Sequence, residues 1–298
     1  MIAIIIPYFK IKFFEETLKS LANQTNKNFK VYIGDDFSDE SPNLLLDNYK
    51  GKFSFAYKKF DYNLGGVSLV KHWERCIKLS NKEEWLMILG DDDVLSKNFI
   101  EEFYFNTPKS NNLIRFSSYY MDGLGKKKSK LYTFPKIQKV SDSYYKHFLG
   151  LTRSSLSEHV FKRSIYNKKG FTEYPLAWHS DDKAWIDFVD SGNIYTINNA
   201  SVGVRISDFS ISGKDDNLLL KRKARYLFIK CLVFEKLNIF NKNQQKTLLL
   251  EYGVLIKEQK KISFYNFLFI IFKLLRIGAF VSFLKFIKRM FIAKLKIK

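Results

Sequence analysis

Asp91-Asp92-Asp93 follows directly on the apolar run Trp85-Leu86-Met87-Ile88-Leu89-Gly90. Adjacent like charges repel, so such a cluster is costly unless something positive binds there. A hard divalent cation with phosphate ligands is the natural partner, since Mg²⁺ prefers carboxylate, water and phosphate oxygens. A solvated acidic turn is the plain alternative for an isolated triplet. Here an apolar strand delivers it, and other polar clusters accompany it. Asp35-Asp36-Phe37-Ser38-Asp39 ends a second apolar stretch, Phe29 to Ile33. Asp181-Asp182 stands at an expected helix start, where free N–H groups favour carboxylates. Capping explains one of this pair well and both together less well. Val204 to Ser212 gathers hydroxyls around Arg205, a reasonable grip for an oxyanion. His147 and His159 have no partner at ligand spacing and read as structural.

The elements that must position these groups can be read from periodicity. Ile2 to Ile6, closed by Pro7, reads as a buried strand of a parallel sheet. Phe13 to Leu21 has helical period, with Phe14, Leu18 and Leu21 on one face. With Phe29 to Ile33 this makes a strand, helix and strand within about thirty residues, a βαβ unit. Ligands of such sheets bind beyond the carboxyl ends of the strands, where Asp35 and Asp36 fall. Phe53 to Tyr57 is a third strand. Asn63-Leu64-Gly65-Gly66 precedes a helix from about Ser68 to Leu79 and can bring free amides close to a ligand. It lacks the Gly-Lys-Ser/Thr of a Walker loop, and the first strand lacks GxGxxG. Asn112 to Tyr120 is another strand, Met121 to Lys130 an exposed hairpin or mobile loop, and Ile194 to Ile197 a short strand. Asn217 to Gly253 is helical, with a cap within Asp215 to Asn217.

Composition narrows the partners. The chain has 298 residues, 46% hydrophobic and 17% aromatic, with a formal charge of +20. That suffices for one large core with an appendage. The charge favours anionic partners: nucleic acid, phospholipid headgroups or phosphorylated small molecules. Cys76 and Cys231 lie far apart and outside any metal or redox spacing, as expected of buried free thiols in a reducing compartment. The opening residues are too short and lack the basic leader of a signal peptide. After Glu258 no acidic residue follows. There Phe280, Phe283, Leu284, Ile287, Phe291 and Leu295 recur at helical spacing, with Lys285, Lys288, Arg289 and Lys296 on the other side. No uncharged run reaches transmembrane length. An interfacial helix at an anionic leaflet fits, and a helix docked on protein is the alternative.

In this order the pieces resemble a family 2 glycosyltransferase of GT-A fold, of the kind that builds bacterial surface polysaccharide. The resemblance spans about residues 1 to 212. Ile4-Ile5-Ile6-Pro7-Tyr8 resembles the opening strand, and Leu18 to Thr25 the helix ending in Gln24-Thr25. Asp35 to Asp39 resembles the DDxSxD nucleotide motif, Asn63 to Gly66 the N-x-G segment, and Asp91 to Asp93 the DxD motif. Asp181-Asp182 stands where Glu-Asp is usual. Arg205 with Ser207 and Ser210 resembles the segment after the catalytic carboxylate. Phe37 replaces a common Gly, and Asp181 a common Glu; neither change removes a carboxylate.

The resemblance implies an α/β fold, a Rossmann-like and mostly parallel sheet flanked by helices, with a basic helical extension. Residues 1–215 would form the catalytic domain, 1–110 its nucleotide-sugar half and 111–215 its acceptor half; residues 216–298 would meet membrane or partner. It implies a nucleotide-sugar donor, with UDP the expected carrier, and a saccharide or lipid-linked acceptor. Pro7, Tyr8, Asp35 and Asp36 would contact base and ribose; Asn63, Gly65, Asp92 and Arg205 would line the same site. Asp91 and Asp93 would hold Mn²⁺ or Mg²⁺ on the diphosphate. Asp182 would be the base of an inverting displacement, with Asp181 the alternative and His179 beside them. The enzyme would be cytoplasmic and peripheral at the inner face of the membrane. Acidic residues at the donor site argue against a nucleic-acid groove. A sugar-phosphate nucleotidyltransferase would normally carry a Gly-rich triphosphate loop near the first strand, which residues 7–12 lack. A basic membrane scaffold is the remaining alternative.

Overall fold

The computed structural model describes residues 1–108, 110–208, 213, 217–259, 261 and 263–295, with only the backbone for 289–295. Asp215, Ser210 and Lys296, invoked above, lie outside the described residues. The chain divides into two units, Met1–Asn217 and Leu218–Lys298.

Among the described residues, the first unit is built on a nine-stranded sheet. Its opening half is parallel. β1 (Ile2–Tyr8) lies between β2 (Phe29–Asp35) and β4 (Trp85–Ile88), and β3 (Ser54–Lys59) pairs with the far side of β2. Burial on both faces explains why β1 and β4 are continuous apolar runs. α1 (Phe14–Ala22) buries Phe14, Leu18 and Leu21, the face its spacing requires. α3 (Leu69–Ile77) starts at Ser68, whose hydroxyl accepts from the Lys71 amide at 3.2 Å. The strand order reverses at β1, so its carboxyl end and that of β4 open on the crevice where such sheets take ligands.

The other half is mixed. β8 (His159–Lys162) runs antiparallel to β4 and to β6 (Leu113–Met121), and β6 is parallel to β9 (Asn193–Arg205). β5 (Val94–Leu95) and β7 (Ile137–Lys139) add antiparallel pairs to β9. The short strand expected at 194–197 is the start of a thirteen-residue strand. The strand continues through a bulge at Asn198-Asn199: Phe116 pairs with Ile197, and Ser117 already with Ser201. The Asn198 side chain stitches it down, accepting from the Phe134 amide at 3.1 Å and donating to its carbonyl at 2.8 Å. β9 therefore runs on to Arg205 and carries it into the crevice. The 121–130 segment is a hairpin, with Met121 bridged to Lys127. α2 (Asn43–Asp47), α4 (Phe99–Asn106) and α6 (Arg163–Lys169) are the other α-helices described in this unit, and α5 (Val140–Phe148) and α7 (Ser180–Val189) complete the elements that matter for the site.

The second unit comprises α8 (Leu218–Cys231), α9 (Lys242–Glu258), α10 (Phe264–Arg276) and α11 (Phe280–Leu295). Its interior includes Phe228, Leu248, Tyr252, Ile270, Leu274 and Phe286. Asn241 and Gln244 cap α9 reciprocally, a capping box. Of the two cysteines expected to be buried, Cys76 is buried and Cys231 only half-buried.

Candidate active site

The acidic triplet sits at the carboxyl end of β4, one residue past Gly90. Phe9 and Lys10, leaving β1, donate their amides to Asp91 Oδ2 at 2.8 and 2.9 Å. Asp93 is buried; its Oδ1 accepts from the Arg205 amide at 2.9 Å and its Oδ2 from the Ser157 hydroxyl. Asp92 is half-buried. Burial, then the charges of Asp93 and Asp91, push its carboxyl up, and burial likewise raises Asp91 and Asp93. The triplet is thus held together by the fold against its own repulsion.

Among the described residues no group of three or more His, Cys, Asp or Glu forms a metal cage. A magnesium-type ion does not need one, since it is typically held by one or two carboxylates together with substrate phosphates and water. The donor set therefore fits such an ion. Asp91 has one oxygen committed to the loop after β1 and Asp93 has both committed to protein donors, which leaves Asp92 the more open carboxylate.

The loops at 35–39 and 63–66 are equally tied together. Asp35 accepts from the Ser38 amide at 2.7 Å and the Tyr57 hydroxyl at 2.6 Å. Asp36, 4% exposed, accepts from the amides of Leu64 and Gly65, both at 2.8 Å, and pairs with Arg75. Asn63 accepts from the Gly66 amide at 2.6 Å. A side chain at Gly65 would press on Asp36 Oδ2, which explains the glycine there. We expect Gly65→Ala to break the Asp36 bonds and cost about 1–3 kcal/mol of stability, measurable by urea denaturation. Tyr8 is buried and donates its hydroxyl to the Glu40 carbonyl, while Pro7 is half-buried beside Gly34. Phe37 holds φ at 60°, the left-handed backbone for which glycine is suited, and its exposed ring lies 5.3 Å from Lys59 Nζ.

Arg205 is buried, and its guanidinium meets Glu16 Oε2 at 2.6 Å, the Asp92 carbonyl at 3.0 Å and the Asp122 carbonyl at 2.9 Å. Its ring partner is Phe13 at 4.3 Å. In this structure it braces the triplet and the 121–130 hairpin.

Asp182 accepts from two imidazoles: His147 Nδ1 lies 3.2 Å from Oδ1 and His179 Nδ1 2.8 Å from Oδ2. Asp181 Oδ1 accepts from the Asp182 amide at 2.9 Å. From sequence His147 reads as structural, with no partner at ligand spacing; the fold brings it against Asp182 from 35 residues away. The same reading fits His159, which stacks on Trp185 at 4.4 Å and is kept neutral by burial.

The Glycosyl transferase family 2 model matches residues 3–173, more than half of the chain, including the triplet and the 35–39 and 63–66 loops. The chain belongs to glycosyl transferase family 2. A sequence comparison with curated proteins finds no match. Among solved structures, TarS 1-349 of S. aureus in complex with UDP-GlcNAc is similar at a TM-score of 0.63 and 14% identity, covering 93% of this chain and 80% of that one. TarS 1-349 with UDP gives 0.55 and 13%, covering 96% and 88%. GalNAc-T7 with UDP, GalNAc and Mn²⁺ gives 0.53 and 10%, covering 87% and 56%. These likenesses establish the GT-A fold of this family 2 member.

Proposed function

We propose that this family 2 member transfers a sugar from a UDP-sugar to a hydroxyl of a saccharide or lipid-linked acceptor, in the synthesis of cell-surface polysaccharide. The observation that carries this reading is the carboxylate triplet at the crevice beyond β1 and β4, facing the nucleotide-type loops at 35–39 and 63–66. UDP in TarS and GalNAc-T7 supports the choice of nucleotide. Asp35 and Asp36 order the loops that receive base and ribose. Asp92, with the other oxygen of Asp91, would hold Mn²⁺ or Mg²⁺, and Asp93 is the further candidate that the resemblance names. That ion, when bound, supplies charge neutralisation for the departing diphosphate. The carboxylate pair Asp181-Asp182 supplies the base, and one direct displacement inverts the anomeric carbon. A panel of UDP- and GDP-sugars, assayed for release of nucleotide with Mn²⁺ and a saccharide acceptor, tests the reading. Consumption of at least one UDP-sugar is expected; inertness to all of them overturns it.

We also propose peripheral attachment to an anionic membrane, at the cytoplasmic face, through the second unit. No helix among the described residues is long and apolar enough to cross a membrane. The apolar side chains anticipated on α11 divide: Phe280 and Leu284 are exposed, whereas Phe283 and Ile287 are partly buried. The side chains of Phe291 and Leu295 lie outside those described. α10 adds an exposed stripe of Phe264, Tyr265, Leu268, Phe272 and Leu275, and Arg276, Lys285 and Lys288 are exposed near it in the chain. Each basic group near an anionic surface contributes about 1 kcal/mol, and each fully buried aromatic about 1.5–3 kcal/mol. Replacing Leu268 and Phe272 together by Glu is expected to weaken binding to anionic liposomes more than tenfold, with the fold intact, by sedimentation. Unchanged binding, or equal binding to neutral liposomes, contradicts this attachment.

A further inference from the structure

The catalytic unit holds a groove that the donor site does not use. It lies between the segment after the 121–130 hairpin and the end of α5, and its volume is about 390 Å³. Ligand pockets usually run from about 300 to 1,000 Å³. Lys130, Tyr132, Thr133 and Phe134 reach it from the segment, and Lys146 and Thr152 from α5 and the loop beyond. The lining carries two lysines and no carboxylate. Both lysines are exposed, and neither is ion-paired among the described residues. Residues 126–146 hold seven lysines and one acid, Asp142.

The groove is held in shape. Tyr132 exchanges both backbone hydrogen bonds with Ser118 of β6, at 2.8 and 3.2 Å. The guanidinium of Arg115, a residue 2% exposed, lies 3.7 Å from the Phe134 ring. It donates to Gln138 Oε1 at 2.8 Å and to the Ser143 hydroxyl at 2.6 Å. Phe134 and Gln138 line the groove, and Ser143 stands on α5, so one buried cation ties the segment to the helix. Such preorganisation lowers the ordering cost of binding.

The groove also adjoins the carboxylate pair. A cavity of about 20 Å³ has His147, Ser154 and Asp182 in its lining. Lys146, in the groove, precedes His147 in the chain. Thr152, also in the groove, stands two residues from Ser154, a span of at most about 7 Å. One or two residues therefore separate the two spaces at both places.

We propose that this groove binds the acceptor, and that the acceptor is an anionic saccharide carrying phosphate or carboxylate groups. This rests on the reading of the chain as a nucleotide-sugar transferase and names its acceptor class. Lys130 and Lys146 meet the anionic groups. The half-buried Tyr132 ring packs on the apolar face of a sugar, and the hydroxyls of Thr133 and Thr152 exchange hydrogen bonds with those of the ligand. A neutral saccharide would leave both lysines unused. A bilayer surface is too flat to follow a concave groove, which favours a chain molecule over lipid.

The test is binding to the full chain without donor. Labelled oligogalacturonate, a glycosyl phosphodiester oligomer and neutral maltohexaose are titrated by fluorescence anisotropy. At least one charged probe is expected to bind more than tenfold tighter than maltohexaose, and the tighter of the two identifies the anion. A chain of charge +20 attracts any polyanion, so the groove must be separated from the general field. Lys130→Ser with Lys146→Ser should weaken binding about tenfold. The same loss of charge in Lys168→Ser with Lys169→Ser, exposed on α6, should change it less than twofold. Tyr132→Ala alters no charge and should weaken binding about three- to tenfold. Should that variant misfold, Thr133→Glu, at an exposed position, must weaken binding instead by setting a carboxylate in the groove. The charged probe should also shift the His147 imidazole signal in NMR. Equal effects of the two lysine pairs, equal binding of charged and neutral probes, or an unmoved His147 signal overturns the proposal. So does a groove pair that matters only for anionic liposomes. A parent that binds UDP and no charged saccharide fails the groove alone. One that binds the saccharide through the groove yet consumes no nucleotide-sugar fails the transferase reading, and the groove stands as a saccharide site.

Discussion

Asp92→Asn is expected to make the ion-free protein more stable while removing transfer. The fold gathers three carboxylates at the end of β4, and burial with mutual repulsion raises all of them. Asp91 and Asp93 are stitched to Phe9, Lys10, Ser157 and Arg205. Asp92 is half-buried and has the charges of both neighbours against it. Neutralising it removes repulsion and keeps the volume, a gain of about 1–2 kcal/mol once solvent screening is allowed for. A divalent ion would relieve the same repulsion. Mn²⁺ should therefore stabilise the parent and leave the variant nearly unchanged, while transfer falls by about 10²–10³-fold. Urea denaturation with and without Mn²⁺ measures both effects. A variant less stable than the parent without ion, or one stabilised equally by Mn²⁺, contradicts this role for Asp92.

Asp36→Ala should have the opposite character, a large loss of stability. The Asp36 carboxylate receives two amides from the 63–66 loop and the guanidinium of Arg75, which is only 12% exposed. His72 also lies 3.4 Å away, and burial keeps that imidazole neutral, down to about 3. Removing the carboxylate takes the anion from a mostly buried cation, which keeps only the Tyr62 carbonyl and His72, and leaves two amides without their acceptor, at about 3–5 kcal/mol. The loop after β3 would lose its register with β2, and nucleotide affinity should fall with it. Denaturation and UDP titration of Asp36→Ala check this. Parent-like stability would contradict this role for Asp36 and leave Arg75 held by the Tyr62 carbonyl and His72 alone.

Much of this was legible in the chain. The βαβ opening followed from the isoleucine run of β1 and the spacing of Phe14, Leu18 and Leu21. The family was legible as a resemblance carried by several short motifs in order, and their carboxylates fall at strand ends, where ligand sites of such sheets gather. What stayed hidden depends on pairings distant in sequence. His147 lies 35 residues from Asp182, and nothing in the period of α5 marks it. Asp36 reads as a ligand contact, yet its donors stand 28 and 29 residues downstream. Arg205 reads as an oxyanion grip, but β9 continues past the Asn198 bulge and delivers it to Glu16, 189 residues earlier. Local pattern names the residue types at a site; long-range hydrogen bonds assign their work.

The most direct test of the donor site is calorimetry of UDP binding to the full chain, with Mn²⁺ and with chelator, in the parent and in Asp92→Asn. Binding that requires Mn²⁺ in the parent and is lost in the variant is the predicted result. No binding of UDP by the parent, or equal affinity in all four conditions, would contradict a donor site at the carboxylate triplet.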